Sequence, residues 1–306
     1  MINILFLLLC LVLGTLLKKV PALRQDAPLV INNLLLYVCL PAATLLYTST
    51  TRFNSNYALP ILMPWISFGG SLLFFQLLKK FVKFHRHSEA VLILTAGIPS
   101  VSFVGFPIFE LLYGEKGMQI GVLMSQAGSF LVCSTVGIVT ASYYANAQTK
   151  KWTFLLDVLR FPTFIAFCIA LIINFSGLGL PEIVADLLKK LAAPFSMLAL
   201  ISIGMQVDFR DKNINWQALG WGLGYKLILA PLLITLLFVI MLKQRGIIAE
   251  MCVLGAALGP MNTIAIIASN YRLNPALAAQ MVGVGIPLSL VLIITVRGLL
   301  SFFGYF

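Results

Sequence analysis

The sequence predicts an all-α membrane protein of ten transmembrane helices, arranged as two inverted five-helix repeats. Three observations predict it: an extreme apolar composition, apolar runs of bilayer length with short polar gaps, and residue spacings that recur in the two halves. Of 306 residues, 60% are hydrophobic and 10% charged, with a mean hydropathy of +1.00. A soluble globular domain carries about a quarter charged residues, so a water-soluble fold is excluded. The net charge of +11 would suggest nucleic acid in a soluble protein, but the basic residues fall in alternate loops, as topology signals do. No nucleic-acid partner is expected; the lipid bilayer is. Cys10, Cys39, Cys133, Cys168 and Cys252 all lie in apolar runs without a CxxC pair, and read as small buried hydrophobes.

Apolar windows place the spans at 2–17, 29–50, 57–78, 89–112, 118–143, 154–177, 183–206, 216–242, 247–270 and 276–300. Residues 2–17 lack a basic leader and a small-residue cleavage site, so they read as a retained first span. One set of loops carries thirteen basic residues: Lys18, Lys19, Arg24, Lys79, Lys80, Lys83, Arg86, Lys150, Lys151, Arg160, Arg210, Lys212 and Arg272. The other carries seven: Arg52, Lys116, Lys189, Lys190, Lys243, Arg245 and Arg297. The richer set is expected in the cytoplasm, which puts both termini outside. Compact loops fit a bacterial inner membrane.

The halves divide as 1–143 and 154–306, joined by a cytoplasmic connection at 144–153. Pro28 and Pro41 are thirteen residues apart, as are Pro181 and Pro194; Glu89 and Pro99 are ten apart, as are Glu250 and Pro260. Two matched spacings in the same order suggest a repeat. With five spans in each half, the second copy must sit upside down relative to the first.

The breaks in spans four and nine carry the functional expectation. Span four reads Gly97-Ile-Pro99-Ser100-Val-Ser102 and span nine reads Gly259-Pro260-Met-Asn262-Thr263. Proline removes a backbone donor and clashes with the preceding turn, and in hydrocarbon the freed groups must find protein, water or ligand. A matched pair of interrupted spans points to a transporter's substrate site. Half-helix N-termini after each break would favour an anionic group, with Ser100, Ser102, Asn262 and Thr263 as neutral hydrogen-bond partners. The alternative is a pair of kinks needed only for packing. Lys226 is the one lysine or arginine deep in a span; it reads either as an anion attractor or as a lysine paired with a carbonyl or snorkelling along its stem. Gln126 and Gln280 are isolated buried amides that could bridge helices or face a cavity.

Little else suggests chemistry. Glu89 and Glu250 start spans, Glu110 and Glu115 flank an outer turn, and Asp186, Lys189 and Lys190 share one helical face. Glu110 is the best of these for a proton or gating role. His85 and His87 lie in a basic loop, and H-x-H alone does not make a metal site. No Walker sequence, metal set or nucleophile–base pair is present, so no metal, cofactor or enzymatic activity is expected.

These residues resemble a known family. Pro99-Ser-Val-Ser-Phe-Val-Gly105-Phe-Pro107 with Tyr113-Gly114, Ala257-Leu-Gly-Pro260 with Ser269-Asn-Tyr271-Arg-Leu-Asn-Pro275, and Ala27-Pro28-Leu, Asn33 and Tyr37-Val-Cys-Leu-Pro41-Ala are similar to motifs of the auxin efflux carrier family. The resemblance implies a fold like that of bile acid–sodium symporters, with helices 4 and 9 crossing at their breaks. It implies a scaffold of helices 1, 2, 6 and 7 that supports a homodimer, and a transport domain of helices 3–5 and 8–10 that moves as an elevator. It also implies a small organic anion as substrate, such as a carboxylate, and places Gln126 near a polar position that supports the crossover. The chain departs from the family in having Ser100 where an asparagine is frequent, and Ala265 where plant carriers have a second proline. The expected function is therefore a secondary organic-anion carrier. Its expected binding residues are Pro99, Ser100, Ser102, Gln126, Lys226, Pro260, Asn262 and Thr263. The alternatives are a sodium-coupled or proton-coupled symporter of the same fold, or a membrane sensor that binds its ligand without moving it.

Overall fold

A computed structural model describes residues 2–20, 26–146, 160–206 and 215–302. Among these the chain is all helical apart from loops and one isolated β-bridge. The helices are α1 (Ile2–Leu17), α2 (Ala27–Ser49), α3 (Ser55–Leu78), α4 (Arg86–Gly97), α5 (Val101–Ala145), α6 (Pro162–Ser176), α7 (Glu182–Gln206), α8 (Trp216–Met241), α9 (Ile247–Ala257), α10 (Thr263–Asn270) and α11 (Pro275–Phe302).

Six of the described helices are long and apolar enough to cross a membrane: α2, α3, α5, α7, α8 and the Pro275–Gly298 part of α11. This corrects the expectation of ten spans in two inverted five-helix repeats; the fold is an all-α, multi-spanning bundle. Apolar windows count chain that is not one continuous helix. The window 89–112 is cut at Gly97, and its second part runs on into the window 118–143 as α5, turning at Gly114 (φ 60°, ψ −141°). The window 247–270 is cut into α9 and α10. At 1.5 Å per residue the eleven residues of α9 reach about 16 Å, half of a hydrocarbon core of about 30 Å. Helices α1 and α6 are also short. The basic residues Arg24, Lys150, Lys151, Arg210 and Lys212, most of the connection 144–153 and the start of the window 154–177 lie outside the described residues.

Prolines shape the long helices rather than ending them. Wide π turns at Leu35–Cys39, Val101–Gly105 and Tyr225–Leu229 lie just before Pro41, Pro107 and Pro231. Each of these prolines lacks an N–H and presses on the carbonyl four residues back. That carbonyl falls inside the widened turn in all three cases, where the ring fits without breaking the helix.

The chain forms two compact units. The first comprises Met1–Ser55, Ser102–Gln126 and Leu156–Val207. In it α1 and α7 approach at two glycines: a Cβ on Gly14 would lie 2.2 Å from the Ile201 carbonyl oxygen, and one on Gly204 would lie 2.3 Å from that of Leu11. Small residues allow such backbone contact between helices in lipid. Asn174 on α6 donates to the carbonyls of Thr48, Ser49 and Thr51 at 3.0, 2.9 and 2.7 Å, collecting acceptors that the end of α2 leaves open.

The second unit comprises Asn56–Val101, Ala127–Leu155 and Asp208–Phe306. Its core is α4, buried from Ala90 to Ile98 and surrounded by Phe68 and Phe75 of α3, Leu219 and Leu223 of α8, and Leu277 and Met281 of α11. Ser71 donates to the Ile93 carbonyl at 2.9 Å, and the Tyr225 hydroxyl donates to the Ser67 carbonyl at 2.8 Å. These bonds tie α3 to α4 and α8 to α3, fixing the frame around the breaks.

Candidate functional site: two broken helices joined by a backbone bridge

Within the second unit the two breaks meet. After Gly97 the backbone turns extended at Ile98 (φ −106°, ψ 112°), and after Ala257 it does so at Leu258 (φ −60°, ψ 148°). Pro99 and Pro260 face each other in an antiparallel bridge. The Ser100 N–H donates to the Gly259 carbonyl at 2.9 Å, and the Met261 N–H to the Ile98 carbonyl at 3.1 Å. Opposed residues of an antiparallel pair alternate between bonded and non-bonded positions. The prolines occupy a non-bonded one, where the missing N–H is not needed. Each strand's neighbouring amide satisfies the other's carbonyl, which is how interrupted backbone survives at this depth.

Close packing holds the bridge in place. A Cβ on Gly259 would lie 2.8 Å from the Cα of Ile286, and one on Gly285 would lie 2.7 Å from Pro260 Cδ and 2.8 Å from Leu223 Cδ2. A Cβ on Gly222 would lie 2.6 Å from Met281 Sδ. Lys226 is one turn beyond Gly222, as Gly285 is one turn beyond Met281. Lys226 follows directly on this stretch of α8, in the same compact unit as the bridge.

Four of the expected site residues thus belong to this frame together with Lys226: Pro99, Ser100, Pro260 and Asn262. Ser100 is buried. The Asn262 side-chain oxygen is buried without a hydrogen-bond partner among the described residues. Lys226 is fully buried, and its amine likewise has no such partner. Thr263 follows Asn262 at the start of α10 but is exposed. Ser102 and Gln126 fall in the first unit. There Gln126 is buried and donates to Ser125 Oγ at 3.4 Å, while its carbonyl oxygen has no hydrogen-bond partner among the described residues.

Other charged groups are engaged locally. Glu89 accepts from the Tyr144 hydroxyl at 2.8 Å and lies 3.7 Å from Lys79. Glu250 lies 3.5 Å from Arg297, Lys189 pairs with Glu115 at 2.9 Å, and Glu110 accepts from Ser196. Cys168 is exposed, unlike the other four cysteines, which are buried as expected. Sequence reading missed the two groups that complete the bridge, the carbonyls of Ile98 and Gly259. Only the Gly-Pro and Ile-Pro dipeptides hinted at extended backbone there.

Comparison with known proteins agrees with these features. A family model described as membrane transport protein matches residues 1–296. The uncharacterized transporter YfdV of Escherichia coli K12 is 25% identical over 261 residues, covering 81% of each chain. The uncharacterized transporter MJ1031 of Methanocaldococcus jannaschii is 22% identical over 212 residues, covering 67% of this chain and 68% of its own. The chain belongs to the membrane transport protein family, the auxin-efflux-carrier-like secondary transporters, and is a membrane-embedded carrier rather than an enzyme.

Proposed function

We propose that the protein carries a small organic anion bearing a carboxylate, bound where the two broken helices meet. The observation that carries this reading is the buried amine of Lys226, without a hydrogen-bond partner among the described residues, in the same compact unit as the Pro99–Pro260 bridge. An ionised lysine at the centre of a span costs about 2.5–3.5 kcal/mol on insertion scales and marks a substrate path or a partner. A carboxylate supplies that partner. The Ser100 hydroxyl and the free end of α10 offer neutral donors beside it. Pro99 and Pro260 keep the helices open, and the Asn262 amide can donate while its oxygen takes a substrate hydroxyl. Since bridge and lysine belong to one compact unit, substrate and site travel together in an elevator-type alternating access, with the homodimer as its fixed support.

The test is carboxylate binding by purified protein. Titration calorimetry with malonate, malate and indole-3-acetate, with and without sodium and at two pH values, should give saturable binding to wild type for at least one acid. Lys226→Met should weaken it. Equal binding by wild type and Lys226→Met would exclude the lysine from the site. Sodium dependence would identify a sodium symporter.

A further inference from the structure

A second polar feature lies away from the bridge, also within the second unit. A cavity of about 410 Å³ is lined by His85, Arg86, His87, Ser88, Leu273 and Asn274. Both histidines of the chain and one arginine are in its wall, and no acid is among the lining residues. Glu89, next in sequence, is engaged with Tyr144 and Lys79. Arg86 is held in place: one guanidinium nitrogen donates to the Tyr143 carbonyl at 2.8 Å, and the group lies 5.5 Å from the Tyr143 ring centre. A guanidinium has five N–H donors in all, so others remain for a ligand. Asn274 donates to Ser88 Oγ at 3.1 Å and accepts from the Leu277 N–H at 3.1 Å. Because Ser88 accepts there, its own hydroxyl proton is available to the cavity.

The setting is the edge of the apolar spans. The long apolar helix α3 ends at Leu78, and the span within α11 begins at Pro275, directly after Asn274. Between α3 and α4 runs Lys79-Lys80-Phe81-Val82-Lys83, with Phe81 86% exposed. Lysines beside an exposed aromatic at a span end are the composition of a surface that meets anionic headgroups.

We propose that this cavity binds a phosphoryl group. The tetrahedral oxygens of a phosphate match convergent donors from Arg86, Ser88 and the two imidazoles, each of which can donate an N–H in either protonation state. Two sources carry that chemistry, the headgroup of an acidic phospholipid and a soluble phosphate ester. The site is separate from the substrate site, since none of Ser100, Lys226 or Asn262 lines it.

Native mass spectrometry of the purified full chain tests it, with dioleoyl phosphatidic acid or dioleoyl phosphatidylcholine added. Phosphorus NMR line broadening of inorganic phosphate and glycerol 3-phosphate forms a second arm. Wild type should retain phosphatidic acid over phosphatidylcholine, and the His85→Ala/His87→Ala double variant should bind it about tenfold more weakly. Lys116→Gln, an exposed basic residue of the first unit, should bind as wild type does. Retention of phosphatidic acid without broadening of the soluble phosphates identifies the lipid source. Broadening that the double variant abolishes identifies the soluble one. Phosphatidic acid held no better than phosphatidylcholine, together with no broadening, overturns the proposal. So does full binding by a double variant whose circular dichroism matches wild type.

Discussion

Lys226 separates function from stability at the scale of one residue. Its amine is fully buried and has no hydrogen-bond partner among the described residues. Replacing an unpaired buried cation with an apolar group of similar length is neutral or stabilising. Lys226→Met should therefore keep or raise the thermal midpoint in detergent, while carboxylate affinity falls by about ten- to a hundredfold, the equivalent of one charge-assisted hydrogen bond. A lower midpoint would mean that the lysine is structural. Asn262→Asp tests the same site with opposite sign. A carboxylate beside the bridge repels an anion, so uptake should fall steeply while uptake of a neutral analogue should not. Lys226 was legible in the sequence because a lone cation among apolar residues is conspicuous. The packing of α8 and α11 around it was not, because it depends on Gly222 making room for Met281 and Gly285 for Pro260 and Leu223.

At the scale of elements, the bridge rests on glycine contacts as much as on proline. Gly285→Val would press on Pro260 Cδ, where even a Cβ would lie at 2.7 Å. Overpacking of this kind costs about 1–3 kcal/mol. The variant should melt earlier, and flux should fall further than stability explains, because the strain bears on the break itself. A control is Gly14→Val in the first unit, where a Cβ would lie 2.2 Å from the Ile201 carbonyl. It should destabilise comparably and leave the affinity of any folded protein unchanged. Melting curves alongside calorimetric affinities separate the two effects. The breaks themselves were readable, since in Gly97-Ile-Pro99 and Gly259-Pro260 a glycine stands beside a proline within an apolar run. Pairing between residues more than 150 positions apart leaves no local signal.

At the scale of the whole molecule, composition read the class correctly, an all-α, multi-spanning membrane protein, and the motifs around Pro41, Pro99 and Pro260 read the transporter family. Composition failed on the helix count. A hydropathy window registers apolar chain whether or not that chain is one helix. The windows 89–112 and 118–143 became a short α4 and a long α5 bent at Gly114. The matched spacings Pro28–Pro41 with Pro181–Pro194, and Glu89–Pro99 with Glu250–Pro260, remain true of the sequence. The first pair brackets segments of α2 and α7, and the second leads into the two breaks. Such spacings record where proline and acid recur and do not count spans.

The most direct measurement is uptake of labelled malonate, malate and indole-3-acetate into liposomes containing the pure protein, with Ser100→Trp reconstituted in parallel. Ser100 is buried and its N–H is bonded to the Gly259 carbonyl, so an indole at this position crowds the bridge. The expected result is saturable uptake of at least one acid by wild type and none above empty liposomes by Ser100→Trp of matching helicity. Undiminished uptake by Ser100→Trp would contradict transport through the bridge, and absence of uptake of any carboxylate by folded wild type would contradict the organic-anion substrate.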